Sequence, residues 1–378
     1  MTGKRGNREA SIFKRKDGRW VGQISLPGDG RGKRKRKVVY GRTREEVRLK
    51  ILDAQKILQS GAQLTPDRMT VADLMSSWLK QRRHEIRWQT WRRYESNFRM
   101  HIEPNIGNIR LAKLRPEHLR NLYAQKIDEG LTSTTVRHIH AVIRAAFRQA
   151  ERDEIITRNV CRMVDPPRAV QFEINPLSPI EARTLREAAR GHIDEALYVL
   201  ALTTGMRQAE ILGLRWRDVD LQNGFLSLTR SLVFQDGTWM LDEPKTRGSK
   251  RRIHLTAAAV EALWNQKRGQ LEHQMVLGPN YQDHDFVFPT EVGTPRRGAN
   301  LVYRSFRPLL ISAGLRQIRF HDLRHTAATL LLSEGVHPKV VSEMLGHSSI
   351  RLTLDTYSHV TPTMQQQAAD AMEAILAG

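Results

Sequence analysis

Apolar positions change period within the first sixty residues. Trp20, Ile24 and Leu26 lie on one side of an extended segment, whereas Val47, Ile51, Ala54 and Leu58 recur at helical spacing. The first pattern predicts strands over 11–16 and 19–26, joined at Asp17-Gly18, a pair that favours a two-residue type I′ turn. A third strand over 33–40 follows the glycine-rich loop 27–32. Thr43 and Glu46 have capping-box spacing and open the helix, which ends near Gly61. A helix on one face of a three-stranded ribbon leaves the other face free, and that face is expected to be cationic.

Pro66 marks a linker into a second unit. Thr70 and Asp73 cap a helix bearing Leu74, Trp78 and Leu79, and helices over 90–101, 116–129 and 134–151 follow, punctuated by Pro104, Gly107 and Gly130. This reads as a compact helical bundle, closed by Pro166-Pro167. Ser178, Pro179 and Glu181 then form a proline-reinforced capping box that opens the largest unit. Its helices surround a short meander over Phe225 to Ser231, Trp239 to Leu241 and Arg252 to Leu255. At the end, Met364, Ala368, Met372 and Ile375 make the stretch 363–376 amphipathic. The expected fold is multidomain, mainly α with small β elements, divided at 1–65, 66–168 and 169–378; no internal repeat is evident.

Charge adds a partner to this outline. The 378 residues carry 61 Lys and Arg against 40 Asp and Glu, a net +21, and the first fifty alone hold 17 against 5. More than half of the excess therefore sits on the small N-terminal ribbon. Such a balance favours a polyanion, and a β-ribbon can lay a strand face in a DNA groove, with phosphate contacts supplying most of the affinity. Lys16, Arg19, Lys33, Arg34, Lys35 and Arg36 are the candidates there, and Arg92, beside Trp88 and Trp91, is the candidate in the helical bundle. The lone cysteine, Cys161, excludes a disulfide framework within the chain and argues against a thiolate zinc cluster. No stretch approaches the roughly 18 apolar residues of a spanning helix, and the basic start leads into no apolar signal core. A reducing, cytoplasmic setting is expected.

Three separated segments of the last unit carry the chemistry. Leu202 to Asp218 holds a glycine turn opening a short helix, with Arg207 expected in its first turn and Glu210 three residues on, close enough to pair. Glu243 to Leu255 is a cationic turn between strands, with Lys245 near its start. The third segment runs from His321 and Arg324, on one helical face, through Gly346-His347 to Tyr357 and His359. His321 and His325 have the i, i+4 spacing of a metal pair, but neither HExxH nor an evident third ligand accompanies them.

Arg207, Lys245, the HxxR of 321–324, Gly346-His347 and Tyr357, in this order, resemble the tyrosine site-specific recombinases, and more narrowly a phage or mobile-element integrase. The resemblance covers essentially the whole chain and implies an arm-type DNA-binding module, a helical core-binding domain and a catalytic domain. It implies that Arg207 and Arg324 clamp the scissile phosphate, that Lys245 protonates the leaving 5′ oxygen, and that His321 and His347 handle phosphate and proton. Tyr357 matches the nucleophile, and Glu210 an acidic position that buttresses the first arginine. Some relatives carry Trp where His347 stands. A homotetramer on paired DNA sites is implied, with the last helix docking on a neighbouring subunit, as are accessory bending or directionality factors and a bacterial host.

The residue types suit this chemistry. A phosphodiester gains charge on its non-bridging oxygens during in-line attack, and two permanently charged guanidinium forks match that change. A phenol with pKa near 10 needs help losing its proton, from a neighbouring imidazole or from surrounding cations. A lysine can donate the proton that a 5′ alkoxide requires. No metal is expected, since two arginines handle the charge, and no ATP, since the aryl phosphate ester keeps the bond energy for religation. Two alternatives remain: a type IB topoisomerase, against which the extra N-terminal module argues, and a non-catalytic DNA-binding regulator, which leaves the ordered residue set to coincidence.

Overall fold

The computed structural model describes residues 11–15, 18–25, 36–59, 68–170, 175–243, 250–347, 349–357, 369–370 and 372–376. The chain divides into two compact units, 1–171 and 172–378. The first contains two separate apolar clusters, one under a small sheet and one inside a helical bundle.

The sheet comprises β1 (Ser11–Lys14), β2 (Trp20–Ser25) and β3 (Arg36–Gly41), antiparallel in that order, with α1 (Arg44–Gln59) across one face. Ile24 packs there with Val47, Ile51 and Ala54, and Ile12, Trp20 and Val39 border them. The β1–β2 turn differs from the expected two-residue one. Lys14 pairs with Trp20, and the N–H of Arg15 donates to the Arg19 carbonyl at 2.8 Å, so three residues close the loop and left-handed Gly18 (φ 84°) ends it. Burial decides this register: it puts Ile12 on the helix side, whereas a one-residue slip would bring Phe13 there and expose Ile12.

Among the described residues, the face expected to be cationic carries two cross-strand rows, and the register also places Arg36 on it, opposite Ser25. Phe13, Val21 and Tyr40 form a cross-strand row, with Val21 buried between two exposed aromatic rings, and Ser11, Gln23 and Val38 form the next. Arg15 and Arg19 close the β1–β2 loop at the end of these two strands, next to the Lys14–Trp20 pair. Lys16, Lys33, Arg34 and Lys35 lie outside the described residues, as does the side chain of Arg36.

The bundle is built from α2 (Val71–Arg82), α3 (Trp88–Asn97), α4 (Glu103–Ile106), α5 (Pro116–Asp128) and α6 (Ser133–Arg152). Thr70 and Asp73 cap α2 reciprocally, as their spacing predicts. Pro104 does not end the helical path where a break was expected. A single π turn at Phe98–Ile102 lets the Glu103 N–H reach the Phe98 carbonyl, five residues back, and the chain continues helically through the proline. A π turn at Val302–Phe306 precedes Pro308 in the same way. Widening the turn just before a residue that lacks an N–H and crowds the preceding carbonyls relieves both defects.

The second unit carries α7 (Pro179–Ala188), α8 (Glu195–Thr204), α9 (Gln208–Leu212), β4 (Val219–Asp220), β5 (Phe225–Leu228), β6 (Ser231–Gln235), β7 (Thr238–Asp242) and β8 (Arg251–His254). Then come α10 (Ala257–Leu277), α11 (Gly298–Leu301), α12 (Arg307–Ser312), α13 (Asp322–Ser333), α14 (Pro338–Leu345) and α15 (Ile350–Tyr357). Helix α8, apolar nearly all round, runs through the main core. The strands are not one meander. β5 pairs with β4 and β8, while β6 and β7 form a separate hairpin inserted between them in sequence. Its turn is Asp236-Gly237, both at positive φ, with Gln235 opposite Thr238: the two-residue geometry expected at Asp17-Gly18 occurs here. No described helix is long and apolar enough to cross a membrane.

Candidate active site

The site is organised by two helix ends. α8 stops at Gly205, which is left-handed (φ 61°); a Cβ there would lie 2.5 Å from Cδ2 of Leu345. α14 stops at Gly346, also left-handed (φ 68°), in a Schellman arrangement whose N–H groups at 346 and 347 reach the carbonyls of Glu343 and Ser342. Both ends direct terminal backbone carbonyls, the negative pole of a helix, into the same space.

Arg324, in α13, occupies that space. Its side chain is buried, and Nη1 donates to the Gly205 carbonyl at 2.9 Å while Nη2 donates to that of Leu345 at 2.7 Å. One guanidinium thereby joins the segment leading to Arg207 to the segment leading to His347. Two fixed bonds from a planar fork also set the orientation of the charge.

Arg207 stands at the N-cap of α9, in extended conformation and one position ahead of the first turn where it was anticipated. Glu210, at the third helical position, accepts the Arg207 backbone N–H at 2.8 Å and Nη1 at 2.7 Å. The pair is not an ordinary surface ion pair: the Arg207 side chain is 38% exposed, whereas that of Glu210 is 9% exposed. Glu210 also accepts two bonds from Arg251 of β8, Nη2 to Oε2 at 3.0 Å and Nη1 to Oε1 at 3.3 Å. Burial pushes the Glu210 carboxyl upward, but the hydrogen bond and charge of Arg251, and then those of Arg207, outweigh it and hold the group below the usual range.

His321 is the N-cap of α13, so it and Arg324 share the first turn of that helix. Its ring meets His325 edge to face at 5.1 Å between centroids. Burial, followed by the charges of His325, Arg324 and Arg207, pushes the His321 imidazole down to about 4. His347 sits just past the α14 cap, and its Nδ1 lies 2.8 Å from Oγ1 of the fully buried Thr353. Burial and then Arg324, Arg207 and Arg251 bring its imidazole down to about 4 as well. At neutral pH both rings are uncharged, each with one nitrogen able to accept a proton.

Helix α15 ends at Tyr357, one turn beyond Thr353. The side chain of Tyr357, and Lys245 with its turn, lie outside what is described. Arg207, Glu210, His321, Arg324 and His347 are thus gathered at one place, within reach of one another's charge. Arg92 and Arg19 are in the other unit, both exposed, with the Arg92 guanidinium 5.7 Å from the Trp88 ring centre. Sequence reasoning overlooked Arg251 and Thr353. Arg251 had a faint signal, since it shares a strand face with buried Ile253; Thr353, a small polar residue four before a tyrosine, had none.

Comparison with known proteins agrees with this geometry. Residues 177–364 match the phage integrase family, and residues 70–127 match the N-terminal SAM-like domain of phage integrases. A XerC-like tyrosine recombinase of Caldanaerobacter subterraneus subsp. tengcongensis is 28% identical over 369 residues, covering 92% of this chain and 94% of its own. The integrase of transposon Tn1549, solved with transposon right end DNA, superposes with a TM-score of 0.67 at 23% identity, covering 82% of this chain and 100% of its own. A lambda integrase tetramer bound to a Holliday junction gives 0.55 at 20% identity, covering 89% of this chain and 95% of its own. The last two likenesses concern the fold. The chain belongs to the phage integrase family. It is a tyrosine recombinase, a site-specific DNA breaking and joining enzyme of the kind mobile elements carry.

Proposed function

We propose that Tyr357 attacks the scissile phosphodiester in line, forming a 3′-phosphotyrosine ester as the P–O5′ bond breaks, and that Lys245 gives the departing 5′ oxygen its proton. Arg207 and Arg324 neutralise the charge gained by the non-bridging oxygens, while His321 or His347 takes the phenolic proton. The reverse attack by a 5′ hydroxyl of a second strand restores the tyrosine. Two such exchanges, through a Holliday junction, integrate or excise an element. The observation that carries this reading is Arg324 bonded to both Gly205 and Leu345, because it joins the segments bearing Arg207 and His347 around one fixed charge. Neutral imidazoles beside two arginines are proton acceptors, which a phenol attacking at neutral pH requires.

In this reading Arg207 and Arg324 take the place of a metal, and no ATP is needed, as one phosphoester is exchanged for another of similar energy. The partners are core-type and arm-type double-stranded sites, bridged by a homotetramer whose terminal helix docks on the next subunit, with an accessory bending or directionality factor. The N-terminal ribbon and the helical bundle supply the DNA contacts outside the catalytic unit, and the work is done on DNA in a bacterial cytoplasm. The DNA-bound and tetrameric states of the integrases compared above support this assembly.

The test is covalent trapping on nicked suicide duplexes of a candidate attachment site, in EDTA. Wild type should form an adduct and Tyr357→Phe should bind equally but form none. Recombination by the phenylalanine variant would remove Tyr357 as nucleophile, and efficient relaxation of supercoils without junction products would favour a topoisomerase.

A further inference from the structure

Glu210 has two arginines on one carboxylate, and only one of them faces outward. Arg207 is substantially exposed, whereas the Arg251 side chain is 7% exposed and commits Nη1 and Nη2 to Glu210 while Nε donates to the Met344 carbonyl at 2.6 Å. A buried guanidinium joined to the carboxylate from behind cannot serve as a substrate contact in that position. These bonds instead connect strand β8, the N-terminal turn of α9 and the last turn of α14.

We infer that Arg251 is a positioning residue for strand cleavage: it fixes the Glu210 carboxylate against Arg207 and fixes the α14 end from which Leu345 and His347 reach the catalytic centre. The inference rests on the reading that Arg207 contacts the scissile phosphate.

Three observations support it. Glu210 alone can swing about its own torsions; the end-on fork of Arg251 leaves it one orientation, in which Oε1 meets Nη1 of Arg207 and Oε2 meets the Arg207 backbone N–H. The α14 terminus is held by two arginines on consecutive carbonyls, Arg251 on Met344 and Arg324 on Leu345, so the two cations share the task of anchoring the turn before His347. Gly346 is packed against the same guanidinium, since a Cβ there would stand 2.8 Å from Arg251 Nη1. The closeness of fit means that a shorter or rounder cation does not reproduce the three contacts, although a lysine preserves the charge.

The experiment is single-turnover cleavage of a suicide duplex, with DNA affinity measured on the same samples, for Arg251→Met, Arg251→Lys, Glu210→Gln and the double variant Glu210→Gln/Arg251→Met, with Arg207→Ala as reference. Arg251→Met is expected to cut at least 30-fold more slowly with affinity changed less than threefold, and Arg251→Lys to lose at least fivefold. The double variant is expected to be no more than about twofold slower than its slower single, because both changes release the same carboxylate. Cleavage by Arg251→Lys within twofold of wild type, or losses that multiply in the double variant, would overturn the inference. If Arg251→Met does not fold, as judged by its thermal transition, Arg251→Lys decides alone. Normal cleavage by Arg207→Ala would instead overturn the clamp reading on which the inference stands; loss in Arg207→Ala with normal rates in the Arg251 variants would overturn the inference only.

Discussion

Nδ1 of His347 and Oγ1 of Thr353 lie 2.8 Å apart, and Thr353 is the fully buried residue one helical turn before Tyr357. The imidazole at the α14 terminus is therefore tied to the helix that ends at Tyr357. With Nδ1–H donating to the hydroxyl, Nε2 of the neutral ring is left as the nitrogen that can accept a proton. Thr353→Val keeps the shape but leaves the ring nitrogen without this partner. It is expected to cost about 1–3 kcal/mol of stability and roughly tenfold in cleavage rate, and Thr353→Ser should restore most of both. Denaturant unfolding and single-turnover cleavage, measured together, check this.

Arg324 tests the clamp. In Arg324→Lys the charge remains, but one ammonium replaces a fork that bonded two carbonyls. Cleavage should fall by about 10²–10³, the scale of losing an oriented electrostatic contact. Stability should fall by about 1–3 kcal/mol, since a buried carbonyl is left without its donor. DNA binding, which draws on cations across the whole chain, should change little. A near-normal cleavage rate would show that orientation of the charge is unimportant.

Gly205→Ala probes the same place through the backbone. A left-handed alanine costs about 1–2 kcal/mol, and its Cβ would stand 2.5 Å from Cδ2 of the wholly buried Leu345. For a unit of this size the thermal midpoint should drop by roughly 2–8 °C. Calorimetry of the variant measures it directly, and an unchanged midpoint would contradict the αL conformation at Gly205.

Acidification should destabilise the protein over a defined window. His321 and His347 are both pushed down to about 4 in the folded chain, against 6.5 for an unperturbed imidazole. Between those values the unfolded chain binds protons that the folded site refuses, so stability is lost as pH falls from 6.5 towards 4, and these two groups contribute no further loss below that. Thermal midpoints from pH 7.5 to 4, without DNA, should show the decline, and it should be smaller in His347→Gln. Bound DNA should weaken the effect, since a phosphate anion beside the rings raises their pKa values.

Arg92 concerns affinity rather than chemistry. Exposed and close to the Trp88 ring, it is proposed as a phosphate contact on the helical bundle. Arg92→Ala should weaken binding to specific and unrelated duplexes by similar factors and reduce the slope of log affinity against log salt by about 1. A loss confined to one sequence would instead mark it as a base-reading residue.

The amino-acid sequence by itself determined what depends on neighbours a few positions apart. The cap of α2 by Thr70 and Asp73, the cap of α7 by Ser178 and Glu181, the packing face of α1 and the ordered set Arg207, His321, Arg324, His347 and Tyr357 were all legible, because each rests on helical period, short-range hydrogen bonding or residue chemistry. Only tertiary structure decided the rest. The two Asp-Gly pairs show why: Asp236-Gly237 makes the two-residue turn, whereas the loop at Gly18 takes one residue more because burying Ile12 rather than Phe13 fixes the strand register. Likewise the partners of Arg324 are backbone carbonyls 119 and 21 residues away, and Arg251 reaches Glu210 across 41. A carbonyl exists at every position, so no residue type announces which one will meet a buried guanidinium; that is set when the ends of α8 and α14 pack together around it.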